Sequence, residues 1–294
     1  MSATRHPSFH GWQQFWFSPR TPTWISALRV ATGLLTTLQF IHYYFIAMNW
    51  FGATGWFNPD VGRYLIGDGV DDTGSIYRWS LLFAFPNWNS IVAGIGMLTG
   101  IAMMAGMGSR ASPLLAWLAL AMFHHRAPFL VSVHEPLLSA MLAYLVVDPG
   151  KLDWSIRPGF QSGPARLSSN IALQLIRCHF GIWVAFSLAS MLASPLWWNG
   201  EAAWLLMQSG QGWLTLQDGW QFVGQAFTHV VIAAQVAILV TLLLGNLRWL
   251  GRWFLYVFLA CILFLLGDWM YAAILMTAGL SVWPIELPKR GNKP

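Results

Sequence analysis

Charge is what this sequence has least of. Only 9% of its 294 residues are Asp, Glu, Lys or Arg, against about 25% in an ordinary soluble domain, and that class is excluded. Cysteine is nearly as scarce: Cys178 and Cys261 both lie inside apolar runs, which excludes a disulfide framework and a cysteine-based zinc site. Lysine occurs only at Lys151, Lys289 and Lys293. Basic residues nowhere form a stripe or tail, so the net charge of +5 does not indicate a nucleic-acid partner. No internal repeat is present. Residues 1–23 lack the short apolar core and small-residue cleavage site of a secretory signal. They read as a retained N-terminal tail or interfacial helix.

What the chain does have is apolar length: 56% hydrophobic residues and 19 tryptophans, in runs long enough to cross a bilayer. The expected fold is all-α, a polytopic integral membrane bundle of about eight helices. They fall near 25–48, 80–107, 112–124, 133–147, 170–193, 224–245, 249–267 and 269–284. Pro86 starts the second helix properly only after itself. The third and fourth are short for a hydrocarbon core of about 30 Å. Only Gly267, Asp268 and Trp269 divide the last two, so one long helix is the alternative there. Residues 24–286 then form the membrane domain, between tails 1–23 and 287–294.

Orientation follows from Lys and Arg. With the N-terminus in the cytoplasm, the inner segments hold Arg5, Arg20, Arg110, Lys151, Arg157, Arg166, Arg248, Arg252, Lys289, Arg290 and Lys293. The outer segments hold Arg63, Arg78 and Arg126. Asp60, Asp68, Asp71, Asp72, Glu201 and Asp218 all fall outside. The basic bias sets orientation, which places both termini in the cytoplasm of a cell with this chain in its inner membrane. Aromatic stretches at 49–57 and 195–200 fit the outer interface.

Orientation turns scattered polar residues into a pattern. In "AMFHHRAPFLVSVHEPLL", residues 121–138, five ionisable groups crowd between apolar runs. His124, His125 and Arg126 end one expected helix, and His134 and Glu135 open the next. His42, His229 and Asp268 fall at the same depth on other helices. Ionisable groups at membrane depth cost roughly 2.5–3.5 kcal/mol each on insertion scales and usually face a polar interior. Pro128 breaks a helix and Pro136 suits the first turn of another. The connection reads as a re-entrant or broken segment lining an outward-facing wet pocket, since irregular backbone at that depth needs protein or water around it. His134 and Glu135 are the candidate catalytic pair. His124, His125, Arg126, His42, His229 and Asp268 are candidate ligand contacts, and no metal is assigned.

Plainer readings stand beside these. His124, His125 and Arg126 equally suit solvated positions at the headgroups, and His134 could be an ordinary helix-start residue. His229 with Gln235, and Thr37 and Gln39 with His42, suit interhelical hydrogen bonds. Arg29, Arg177 and His179 read as structural polar residues, the arginines bracing helices or snorkelling. The Gly- and Met-rich residues 97–107 read as close helix packing.

Residues 96–156 resemble the horizontally transferred transmembrane (HTTM) domain shared with vitamin K-dependent gamma-carboxylase. The similar features are the short Gly/Met-rich helix, Arg110–Ser112 in a turn, His134 opening a helix and a loop ending in Trp154 and Ser155. The order continues with Arg177 in a helix, a "WWNG" end at 197–200 and "FTHVVIAAQ" at 227–235. Arg29 sits where that family's first helix carries an arginine. The resemblance spans most of residues 24–286 and implies proton-abstraction chemistry on a quinone cofactor, with His134 in the place of a family histidine. It also implies a lysine before the Trp-rich end of the fifth expected helix, where Met191 and Leu192 stand instead. Without that amine, glutamate carboxylation is not expected.

Three functions remain open from the sequence. One is acid/base chemistry on a lipid, quinone or peptide, with His134 as the proton carrier because imidazole alone ordinarily titrates near neutrality. Glu135 or Asp268 would orient it, and Arg126 would hold an anion. The second is a non-enzymatic partner or maturation factor for a membrane or secreted protein; a related HTTM protein serves the maturation of a secreted peptide. The third is b-type haem binding through imidazoles at one depth. Transport lacks its inverted-repeat signature.

Overall fold

The computed structural model describes residues 7–20, 23–58, 60–61, 80–149, 164–208, 220–244 and 247–283. Arg5, Arg63, Asp68, Asp71, Asp72, Arg78, Lys151, Trp154, Ser155, Arg157, Asp218, Lys289, Arg290 and Lys293 lie outside the described residues. Among those described, regular structure is helical apart from one isolated antiparallel bridge between Arg20 and Arg166. The chain divides into two compact units, residues 1–175 and 176–294.

The first unit opens with α1 (Pro7–Phe17), followed by α2 (Thr23–Phe51). Then come a single turn α3 (Leu81–Ala84), a 3-10 turn over Pro86–Trp88 and α4 (Asn89–Met104). The sequence reading of Pro86 holds for the long helix: α4 starts at Asn89, beyond the proline. Next are α5 (Ala111–Arg126), a 3-10 turn over Pro128–Leu130, and α6 (Glu135–Leu145). α7 (Leu167–Ala193) carries the division between the units.

Helix α2 is the axis of the first unit. Its apolar stretch Thr23–Ala47 is 61% buried, against 22% for the stretch in α7. It lies close against α4 through small residues, as the sequence suggested. A side chain added at Gly33 would meet the Gly100 carbonyl at 2.8 Å, and one at Gly100 would meet Thr37 Oγ1 at 2.5 Å.

At the N-terminal end of α2, Arg29 is buried and braces several chain ends. Nη1 donates to Ser109 O at 2.6 Å, and Nη2 donates to Leu145 O at 3.1 Å and Asp148 O at 3.0 Å. The Asp148 carboxylate stands 3.8 Å from the same guanidinium and accepts from Ser169 Oγ at 2.8 Å. The last carbonyls of α1 are satisfied in a similar way. Buried Asn170 donates to Phe15 O and Trp16 O at 2.8 and 2.9 Å, and so supplies partners a helix end otherwise lacks.

The second unit holds the rest of α7, then α8 (Pro195–Trp198), α9 (Glu201–Gln208) and α10 (Gln221–Leu243). It ends with α11 (Arg248–Leu266) and α12 (Trp269–Val282). The last two are separate helices. Gly267 takes a left-handed φ of 64° and closes α11, a conformation glycine adopts without the Cβ penalty. Asp268 then caps α12, its Oδ1 accepting from Tyr271 N at 2.9 Å. Arg177 Nε donates to Ser281 O at 2.7 Å and braces α7 to α12, the structural role read for it. Gln235 Nε2 donates to Ser187 Oγ at 3.0 Å, an interhelical bond, but not one shared with His229.

Among the described residues, four helices are long and apolar enough to cross a membrane: Thr23–Ala47, Leu167–Ala193, Gln221–Leu243 and Arg248–Leu266. Glu135–Leu145 and Trp269–Val282 are apolar but shorter. Side chains such as Phe45, Phe186 and Leu243 are 75, 74 and 85% exposed. In water that apolar area costs roughly 25 cal/mol per Å², whereas hydrocarbon imposes no such cost.

Candidate functional site

The site grows from three pieces of helix in the first unit. Gln39 and Tyr43 lie one turn apart on α2 and share a face. Glu135 opens α6 with His134 just before it, and Pro136 occupies the first turn, where a missing N–H costs nothing. His124 belongs to the last turn of α5. These placements suit the helix dipoles: a carboxylate is favoured at a helix start, and a protonated imidazole at a helix end.

Two side chains donate to the buried Glu135 carboxylate, and a third stands beside it. Gln39 Nε2 donates to Oε1 at 3.1 Å, and the Tyr43 hydroxyl donates to Oε2 at 2.5 Å. His124 Nε2 stands 2.9 Å from Oε2. The Tyr43 ring stacks on Phe123, with centroids 4.5 Å apart and planes at 19°, which fixes where the hydroxyl points. Hydrogen bonds to a charged group contribute about 1.5–3 kcal/mol each. Two such bonds offset the burial cost of a carboxylate that is 2% exposed.

Gln39 also couples this group to His134. Its Oε1 lies 3.1 Å from His134 Nε2. A carboxylate accepts and never donates, so the amide nitrogen must face Glu135 and the amide oxygen must face the imidazole. His134 Nε2 therefore carries a proton and donates to the amide oxygen. One amide thus links a histidine 95 positions away in sequence to a carboxylate 96 positions away.

Above the network lies a cavity of about 200 Å³. Buried Gln39, Tyr43, Phe51, His134 and Glu135 form its inner wall, and exposed His42, Trp50, Leu130 and Ser132 its rim. Whole small-molecule pockets measure roughly 300–1,000 Å³. This one accommodates a headgroup, with the rest of an amphiphile left to the apolar surface outside.

Of the sequence candidates, the structure brings together His124, His134, Glu135 and, at the rim, His42. Half-buried His125 belongs to neither the network nor the cavity lining. Arg126 is fully buried and turned elsewhere: Nη2 donates to Phe57 O at 2.7 Å, and the guanidinium lies 4.6 Å over the Phe83 ring. It does not line the cavity. His229 and Asp268 belong to the second unit. Exposed His229 has Nδ1 2.8 Å from Gln225 O on its own helix, and Asp268 is the cap described above. His179 is half-buried within α7.

Tyr43 escaped the sequence reading, and Gln39 entered it only as a candidate interhelical bond. Both are uncharged, so neither stood out in a search for rare charge. Their one-turn spacing on the most polar face of α2 was the available signal. Comparison of the chain with protein-family models, with curated proteins and with solved structures found no match to any of them.

Proposed function

We propose that this chain is an HTTM-like integral membrane protein of a bacterial inner membrane, with about eight spans and both termini in the cytoplasm. Four helices of spanning length, the exposed apolar side chains and the Lys/Arg asymmetry support that reading. The break between Arg126 and Glu135 then lies at the outer face. In this reading the cavity takes the head of an amphipathic lipid- or quinone-like molecule, and His134 exchanges a proton with it while Glu135 and Gln39 hold the imidazole.

One observation carries the proposal: a bonded path from the Glu135 carboxylate through Gln39 to His134, opening on a cavity. An imidazole oriented by a second group is the usual arrangement for acid/base work. Among the described residues no Arg lines the cavity, and the favoured head is neutral and carries a hydroxyl or carbonyl. The anion-holding role expected of Arg126 is not carried forward, since its guanidinium faces Phe57 and Phe83. Glutamate carboxylation is not proposed either, because Met191 and Leu192 stand where the amine is required.

Photolabelling tests this directly. A long-chain alcohol bearing a diazirine is expected to label residues 130–135 of the purified protein in lipid nanodiscs. Labelling falls about tenfold in His134→Ala, the factor that 1.4 kcal/mol of binding carries, and the phosphate-headed analogue labels poorly. Equal labelling by both heads, or labelling indifferent to His134→Ala, refutes the pocket. Stoichiometric co-purification of another protein with an unlabelled pocket favours a maturation partner instead.

A further inference from the structure

The second unit holds a cleft of about 220 Å³ between α9 and α10, lined by Gly200, Glu201, Trp204, Leu205, Gln221 and Gln225. Its walls are fixed by the sequence. Gly200 has a φ of 78°, and a side chain there would meet Gln225 Cγ at 3.0 Å and His229 Cε1 at 3.1 Å. Gly224 lets α10 touch α9: a Cβ on it would lie 2.7 Å from Trp204 Cβ. Buried Thr228 ties the corner together, its Oγ1 accepting from Ala203 N at 3.0 Å and lying 3.0 Å from Gly200 O. A site on two locked helices is pre-formed and does not pay to become ordered.

The lining chemistry narrows the ligand. Gln221 and Gln225 are one turn apart on α10 and share a face. Each offers a planar group with a donor and an acceptor, and Glu201 adds two acceptor oxygens. Such forks match pairs of neighbouring hydroxyls. Among the described residues no guanidinium or ammonium lines the cleft, so none of them offers a phosphate or carboxylate a counter-charge. Trp204 is the one aromatic among the lining residues, which falls short of the cage that quaternary ammonium ligands use. Trp204 and Leu205 instead offer an apolar wall to the C–H face of a ring.

We propose that this cleft binds a hexose ring, presented either as a free sugar or as the headgroup of a glycolipid. It is separate from the His134 cavity and does not rest on that reading. The test uses the full chain in phosphatidylcholine nanodiscs, because alkyl glycoside detergents would themselves carry the ligand. Methyl glucoside is titrated against tryptophan fluorescence, and glucosyl diacylglycerol in the discs is followed by native mass spectrometry. Saturable binding of either is expected, weakened about tenfold by Gln221→Leu and by Glu201→Ala, both exposed positions. Binding of methyl glucoside alone assigns a free sugar, and retention of the glycolipid alone assigns a headgroup. Failure of both probes to saturate, binding unchanged in both variants, or tighter binding of tetramethylammonium than of methyl glucoside overturns the proposal.

Discussion

Replacing Glu135 with leucine is expected to lower the unfolding free energy by about 2–6 kcal/mol, at about 1–3 kcal/mol for each of two buried donors left unsatisfied. The leucine fills much of the volume but leaves Gln39 Nε2 and the Tyr43 hydroxyl without the carboxylate they share. Unsatisfied buried donors retain their full desolvation penalty, which is why deleting one partner costs more than the bond itself contributes. Glu135→Gln keeps an acceptor oxygen and the side-chain shape, so it falls well short of the leucine loss. Steric trapping in bicelles measures both. A leucine variant within about 1 kcal/mol of the parent contradicts a buried carboxylate that accepts from two side chains.

Arg29→Met is expected to cost a similar amount, about 3–5 kcal/mol, at the other end of the same helix. Fourteen residues separate Arg29 from Tyr43, about 21 Å of helix at 1.5 Å per residue. The two sites share no partner, so their losses add. Methionine preserves the apolar stem but abandons the Ser109, Leu145 and Asp148 carbonyls and strands the Asp148 carboxylate. Combining Arg29→Met with Asp148→Asn recovers part of the loss, because the stranded charge is gone. A double variant that is the sum of its parts rules out the ion pair as the main term, whereas a shortfall measures its coupling.

The helices were legible in the sequence because each is an apolar run closed by a polar or proline break. Pro86 and the left-handed Gly267 illustrate those breaks. Helix α9 was not, since its eight residues are too short for a hydropathy run and follow the Trp-rich turn directly. Within the site, His124, His134 and Glu135 stood out because charge is rare in this chain. The uncharged members did not, although α2 carried a pattern that placed them. Arg29, Thr32, Thr36, Gln39 and Tyr43 recur at steps of three, four, three and four, and all five are buried. That repeat marks one helix face turned inward.

The residues misplaced by sequence reasoning have a common physical cause. Depth along a helix says nothing about direction around it, and polar side chains take the nearest adequate partner. Asp268 found the α12 N-terminus, His229 the carbonyl one turn back, and Arg126 a loop carbonyl and an aromatic face. None of these choices needs a ligand.

The His134 tautomer bears most directly on the coupled carboxylate, amide and imidazole. Nitrogen-15 spectra of histidine-labelled protein in nanodiscs, with His134 assigned by its loss in His134→Ala, report which ring nitrogen carries the proton. The geometry predicts a ring that carries a proton at Nε2, and loss of that preference in Gln39→Leu. A ring protonated at Nδ1 instead, or one unmoved by Gln39→Leu, contradicts it.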